Sequence, residues 1–171
     1  MGKAFSLLAA VLLSTAPVSA QPPTFRDPLL DRLVGSWVLH GTIAGKETTH
    51  DVVAEWVLAH QYVRLHEVSR ERNGRGQAEY EALVFLGWDR PSSRYACLWL
   101  DSTGGGGLSA QAIAYAARRG DEIPFLFKAA DGSLFHTTFA YSRSTDSWTW
   151  VMDGEEGGKL QPFARVTLER R

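Results

Sequence analysis

About ten short runs of strand-forming residues succeed one another between residues 36 and 169, each set off from the next by a cluster of turn formers. They fall at 36–44, 48–58, 62–69, 78–88, 95–102, 108–117, 123–128, 134–142, 148–152 and 161–169. The separators include Asn73-Gly74, Asp89-Arg90-Pro91-Ser92-Ser93-Arg94 and Asp131-Gly132. Parallel strands need crossover connections of a dozen or more residues, and these connections are too short, so the chain must run as an antiparallel meander. A long meander exposes two unpaired edges unless its first strand closes on its last. The sequence therefore predicts an all-β fold: a single antiparallel up-and-down β-barrel of about ten strands. Six Trp, five Tyr, eight Phe and sixteen Gly among 171 residues fit strands and turns better than a helical bundle.

The segment before the first strand carries two other signals. Residues 1–20 read MGKAFSLLAAVLLSTAPVSA: one lysine, an apolar run, Pro17, then small residues ahead of Gln21. That pattern is a cleavable signal peptide, and its apolar run is shorter than the ~20 residues a spanning helix needs. The expected mature protein is exported, to the periplasm or the medium, with no membrane span. Residues 21–26 form an N-terminal arm, and 27–171 the barrel domain. Asp27-Pro28 followed by Leu29-Leu30-Asp31-Arg32-Leu33-Val34-Gly35 reads as one short helix, with Asp as cap, Pro at the first turn and Gly as stop. Without residues 1–20 the chain holds 17 basic and 19 acidic side chains, a net charge of −2, one lysine fewer than the full count. So balanced a charge gives no electrostatic reason to expect nucleic acid as partner. A single cysteine, Cys97, excludes an intrachain disulfide and a multi-thiolate metal site.

Turn positions predict which side chains face inward. A two-residue turn at Gly45-Lys46 sets Trp37 opposite Ala54, Leu39 opposite Val52 and Gly41 opposite His50, with His40 and Asp51 paired outside. A turn at Ala59-His60 brings Val63 and Leu65 inside and pairs Glu55 with Arg64 outside. A turn at Asn73-Gly74 places Glu67 opposite Tyr80, Leu65 opposite Ala82 and Val63 opposite Val84, with His66 and Glu81 paired outside. The next connection puts Leu86 by Cys97, Val84 by Trp99 and Ala82 by Asp101. Three outer pairs, His40–Asp51, Glu55–Arg64 and His66–Glu81, match opposite charges or a His with an acid, as cross-strand neighbours should. Leu83 and Phe85 fall outside, where the arm or the helix is expected to cover them.

One interior end is then apolar, with Trp37, Trp56, Val63, Leu86, Trp88 and Cys97. The other holds His50, Glu67, Tyr80 and Asp101, with Trp99 and Val84 at mid-height. A carboxylate facing into a barrel is costly unless it is solvated, paired or used on a ligand. The polar end is thus the expected mouth, and His50, Glu67, Tyr80, Val84, Trp99 and Asp101 are the candidate ligand-binding residues. A bond between Glu67 and Tyr80 at a wet rim is the plainer alternative. A binding role requires an interior cavity of at least roughly 300 Å³.

Gly35-Ser36-Trp37 after a short helix resembles the opening of the lipocalin (calycin) barrels. There the Trp plugs the closed end and an Arg from the last strand commonly covers it, a part for Arg165 or Arg170. Five stretches together resemble a bacterial family of secreted lipocalin-like proteins of unknown function. They are Gly35-Ser36-Trp37, Glu55-Trp56-Val57-Leu58, the stretch 80–89 ending Leu86-Gly87-Trp88-Asp89, the stretch 95–102 with Trp99-Leu100-Asp101-Ser102, and the Arg-rich last strand. The resemblance implies a roughly ten-stranded barrel and no established activity. It extends distantly to nitrobindin, whose haem iron is held by a histidine near the C-terminal strand. Here no histidine follows His136, so no haem or other cofactor is expected.

Other chemistries find little support. His60 and His66 share strand parity but lie ~20 Å apart at ~3.3 Å per residue, too far to share a metal. The run Gly104 to Gly107 has neither the following helix nor the Lys-Ser/Thr of a phosphate cradle, and reads as a loop at the mouth. Ser102 and Ser109 lack a nucleophile-elbow context. No catalytic residue is assigned. The function expected is a monomeric or weakly dimeric barrel binding a small hydrophobic or amphipathic molecule. The alternatives are an enzyme of the same fold acting on a small hydrophobic substrate, with His50 and Asp101 as acid and base, or a protein-interaction module with a packed core.

Overall fold

A computed structural model of the chain describes residues 25–104 and 107–171. The expected signal peptide, residues 1–20, lies outside the described residues, as does most of the arm. Helix α1, Pro28–Leu33, precedes ten strands: β1 Gly35–Ile43, β2 Lys46–Val57, β3 Tyr62–Ser69, β4 Glu81–Asp89 and β5 Arg94–Asp101 come first. A 3-10 turn at Ala110–Ala112 leads into β6 Ile113–Ala116, followed by β7 Glu122–Lys128, β8 Leu134–Ser142, β9 Ser147–Glu156 and β10 Lys159–Arg170. Each strand pairs with its sequence neighbours and β10 pairs back onto β1, giving a closed antiparallel barrel. No helix of the described residues is long and apolar enough to cross a membrane.

Asp27 caps α1 as its sequence requires, its Oδ1 accepting from the amides of Leu29 (2.7 Å) and Leu30 (3.2 Å). Leu29, Leu30 and Leu33 are buried, so the helix plugs one end of the barrel. It does not cover Leu83 and Phe85: Leu83 is exposed and Phe85 half-buried on the outer wall. Because the chain enters β1 and leaves β10 at the plugged end, the β1–β2, β3–β4, β5–β6, β7–β8 and β9–β10 connections all gather at the other end.

The inward and outward faces of the first five strands are as expected, although two hairpins are displaced. Between β1 and β2 the turn residues are Ala44 and Gly45, at φ +50° and +77°. Both central residues of a type I′ turn need positive φ, and Lys46 would accept it less readily than Gly45. Trp37 consequently lies opposite Val52, Leu39 opposite His50, and His40 opposite Thr49 rather than Asp51. Asp51 instead pairs with Arg70 at 2.7 Å. The β3–β4 hairpin closes from Asn73 to Gln77 (2.9 Å) around a longer loop with Gly76 at φ +76°. Pairing then passes from Arg72 with Ala78 to Ser69 with Tyr80, which inserts one extra residue in the first arm. The result is Leu65 opposite Val84 and Glu67 opposite Ala82. Both displacements amount to two residues, and because strand side chains alternate with period two, no side chain changes face. The β2–β3 and β4–β5 registers are those expected, including Trp56 with Val63 and Val84 with Trp99.

The later strands depart further. The run expected at 108–117 is mostly connection, with Leu108 exposed and only four residues of β6 paired. Conversely, Asp153-Gly154-Glu155-Glu156 extends β9, and the turn falls at Gly157-Gly158, both at positive φ. Pairing of β9 with β10 shifts between Pro162 and Ala164, where a residue without an N–H interrupts the ladder.

At the plugged end Trp37 is fully buried and its indole N–H donates to Leu33 O at 2.7 Å. Arg170, not Arg165, lies over its ring at 4.2 Å. The same guanidinium donates to the carbonyls of Val34 and Arg32 and to Asp146 Oδ2 (2.6 Å). It thereby closes both the Trp face and the orphaned carbonyls at the end of α1. Gly35 has φ +140°, and a Cβ there would stand 2.7 Å from Arg170 Nη1. The glycine of the Gly-x-Trp signature is thus the residue that lets the arginine cross. Trp56 is half-buried and donates to Asp31 (2.9 Å). Trp88, expected inside, is 37% exposed at the rim, stacked on Phe25 and edge-on to Tyr95. Cys97 is fully buried, and that burial pushes its thiol well above the ordinary range.

Candidate functional site

The end away from α1 opens into a cavity of about 760 Å³. Five of the six candidate residues line it: His50 from β2, Glu67 from β3, Tyr80 just before β4, and Trp99 and Asp101 from β5. Val84 does not. It is fully buried between its cross-strand partners Leu65 and Trp99, in the packed layer that separates the cavity from the plugged end.

His50 and Glu67 are the most deeply buried imidazole and acid of the cavity, 3% and 2% exposed. His50 Nδ1 shares a hydrogen bond with Glu67 Oε1. Its other ring nitrogen, Nε2, bonds the hydroxyl of Thr48 (2.8 Å), which in turn donates to Glu71 Oε2 (3.1 Å). Glu71 Oε1 also accepts from the amide of Thr49 (3.1 Å). A chain therefore runs inward through Glu71, Thr48, His50 and Glu67. Burial acts to raise the Glu71 carboxyl, but the amide and hydroxyl donors outweigh it and hold it below the usual range.

Glu67 meets His50 rather than Tyr80, so the rim bond between Glu67 and Tyr80 does not form. Tyr80 stacks on the His50 ring, centroids 5.7 Å apart, and its hydroxyl accepts from Trp99 Nε1 at 3.0 Å. Burial, with the charges of Glu67 and Asp101 adding to it, pushes the Tyr80 hydroxyl far above the ordinary phenol range. Tyr80 therefore keeps its proton, and that proton is free to donate. Asp101 accepts from the amide of Thr103 (2.8 Å) and from its hydroxyl. Thr103 lines the cavity, which puts the start of the glycine run at the mouth; residues 105 and 106 lie outside the described residues.

Glu67 Oε2 has no hydrogen-bond partner. Of the described buried side-chain polar atoms in that condition, it alone belongs to a cavity-lining residue. The opposite wall is Phe127, Phe135, Thr137, Met152 and Phe163, from β7 to β10. These residues were outside the expected site, as were Thr48 and Glu71. Thr48 stands two residues before His50 on one strand face, a spacing that does mark it as a neighbour. Among the described residues no group of three or more His, Cys, Asp or Glu side chains is placed to hold a metal ion. The remaining histidines are peripheral: His40 is exposed, His66 meets Glu81 (2.7 Å) and His136 meets Glu155 (2.8 Å) on the outer wall, and His60 stacks on Trp56.

The fold and site define a class: a closed ten-stranded up-and-down barrel, sealed at one end and hollow at the other, consistent with a calycin or lipocalin-like fold. Searches of protein-family models and of curated proteins find no match for the chain.

Proposed function

We propose that the protein is an exported lipocalin-like barrel that binds a small, largely apolar molecule in its interior. The observation that carries this reading is the cavity itself. Its volume of about 760 Å³ exceeds the roughly 300 Å³ threshold, and it combines aromatic walls with a few convergent buried polar groups. A packed-core interaction module has no use for such a hollow. Export rests on residues 1–20, and amino-terminal sequencing of secreted or periplasmic protein should begin at Gln21. The finer kinship, with secreted lipocalin-like barrels of unknown function and more distantly with nitrobindin, is supported by the strand number and by Arg170 over Trp37. We take the barrel to work as a monomer or weak homodimer.

Trp99 provides the test. It lines the cavity, whereas Trp37 is fully buried at the sealed end and Trp56 flanks α1. Titration with an apolar probe such as phenylbutanol should change the tryptophan emission. Trp99→Phe should remove most of that change and Trp56→Phe should retain it. An unchanged emission with no heat of binding across the titration would end the reading.

The chain Thr48, His50, Glu67 favours a second reading, an enzyme acting on a small hydrophobic substrate. A hydroxyl on one imidazole nitrogen and a carboxylate on the other is the connectivity of an activated nucleophile. Against it, Thr48 shares its hydroxyl with Glu71. His50→Ala separates the readings: a binding protein changes affinity, whereas an enzyme loses turnover of an activated phenyl ester.

A further inference from the structure

The buried pair and the charges around it restrict what kind of molecule the cavity takes. Glu67 Oε1 is engaged by His50, and His50 is itself held at its far nitrogen by Thr48, so neither can turn to serve Oε2 without breaking the chain. A buried carboxylate oxygen left without a donor carries an uncompensated desolvation cost. Here it belongs to a residue on the cavity wall.

The surrounding lining has one sign of charge. Glu47, Glu67, Glu71, Glu79 and Asp101 face a single lysine, Lys46, and the balance stays negative even with an imidazolium at His50. Hydrogen bonds to Thr103 and Thr48 orient Asp101 and Glu71 without cancelling their charge. A cleft with low-dielectric walls concentrates such a field, drawing in cations and repelling carboxylates. The other walls are aromatic, with Tyr80, Trp99, Phe127, Phe135 and Phe163. They suit an apolar tail, and their ring faces also attract a cation. A divalent ion is a poor match, since it calls for six or more oxygen ligands and only one buried carboxylate oxygen is unspoken for.

We propose that the ligand is an amphipathic amine, with a protonated nitrogen that donates to Glu67 Oε2 and an aromatic or aliphatic tail against the Trp99 and Phe127 side of the cavity. This rests on the reading of the cavity as a ligand site. It goes beyond that reading by choosing among head groups: a primary ammonium over an alcohol, and an alcohol over a carboxylate.

Three probes with one tail test it: phenylbutylamine, phenylbutanol and phenylbutyrate, titrated calorimetrically into the purified protein at neutral pH. The amine should bind about tenfold or more tightly than the alcohol, in keeping with a hydrogen bond to a charged group, and the butyrate should bind weakest. The trimethylated amine, which keeps the charge but has no N–H, should lose most of the advantage. Glu67→Gln should bring the amine's affinity close to the alcohol's, read as the ratio of the two within the variant, with near-ultraviolet circular dichroism confirming the fold. Should that variant fail to fold, Asp101→Asn at the half-exposed rim should lower the amine-to-alcohol preference by roughly two- to fivefold through the field alone. Equal binding of the three probes, or a preference for butyrate, overturns the head-group assignment and leaves the cavity reading standing. A preference for the amine that survives both substitutions also overturns it. Failure of all three probes to bind removes the cavity reading and the assignment together.

Discussion

The two ends of this barrel are built from similar residue types to opposite effect. At the sealed end Asp27, Tyr95, Trp37 and Arg170 form a set in which each polar group is answered. Asp27 caps α1 and accepts the Tyr95 hydroxyl, Trp37 donates to Leu33, and Arg170 serves two carbonyls and a carboxylate. Burial and the bond to Asp27 push the Tyr95 hydroxyl up to about 12, so it stays a donor. At the open end His50, Glu67, Tyr80 and Trp99 are similarly aromatic and charged, yet they surround a hollow and leave a carboxylate oxygen unanswered. The sealed end is organised for stability. The open end gives some stability up, which proteins do where a site must meet something else.

The comparison breaks most readily at Trp37. Truncation to Ala should cost about 3–5 kcal/mol in urea unfolding, since a large fully buried ring is lost and its arginine cover has nothing to rest on. Affinity for phenylbutylamine should stay as it was in the fraction that remains folded. Next in size is the double change His50→Leu with Glu67→Met. Replacing a buried charged pair with apolar side chains should leave stability unaltered or raise it by roughly 1–4 kcal/mol, while amine binding disappears. A loss of stability there would mean the pair holds the barrel together, and the contrast between the ends would collapse. Asp27→Ala should cost about 1–2 kcal/mol through the lost helix cap and the stranded Tyr95 hydroxyl, again without touching affinity. The smallest effect is expected on the outer wall, where Glu55 and Arg64 pair across β2 and β3 with both side chains substantially exposed. Removing either should cost below about 1 kcal/mol and no binding.

Much of this was readable from the chain because a β-meander is written in period two. Parity set these side chains inward, and the turn positions then brought Glu67, Tyr80, Trp99 and Asp101 to one end and Trp37, Leu86 and Cys97 to the other. The two misjudged hairpins did no harm, since a slip of two residues preserves the face. A slip of one would have reversed every later strand. Arg170 and Arg165 could not be told apart by type, and parity decides it: Ala164, Val166 and Leu168 point inward, and Arg170 continues that row. The far wall escaped because the connection from 102 to 109 breaks the count, so no register reached Phe127, Phe135 or Met152. The alternation Phe135-Thr137-Phe139 and Trp148-Trp150-Met152 marks those faces locally but does not tell them their partners. Glu71 escaped for a different reason. The strand run reads as ending at Ser69, so Glu71 counts as turn, although it keeps the odd parity of Glu67 and Ser69 and lines the cavity with them.

The seal at Trp37 also fixes when the molecule can be finished. β1 and β10 are the first and last strands of the meander, and the pairing of Trp37 with Arg170 joins them. Neighbouring hairpins can form as soon as both arms exist. The final ladder waits until β10 has been made, and it must repay the closure entropy of nearly the whole barrel at one stroke. Until then β1 and β9 present open edges, and the Trp37 ring lacks its arginine cover. A nascent chain of this kind gains its cavity floor early, strand by strand, and its watertight base last. A barrel held open in this way is safest kept from folding, or kept apart from its neighbours, until the last strand arrives.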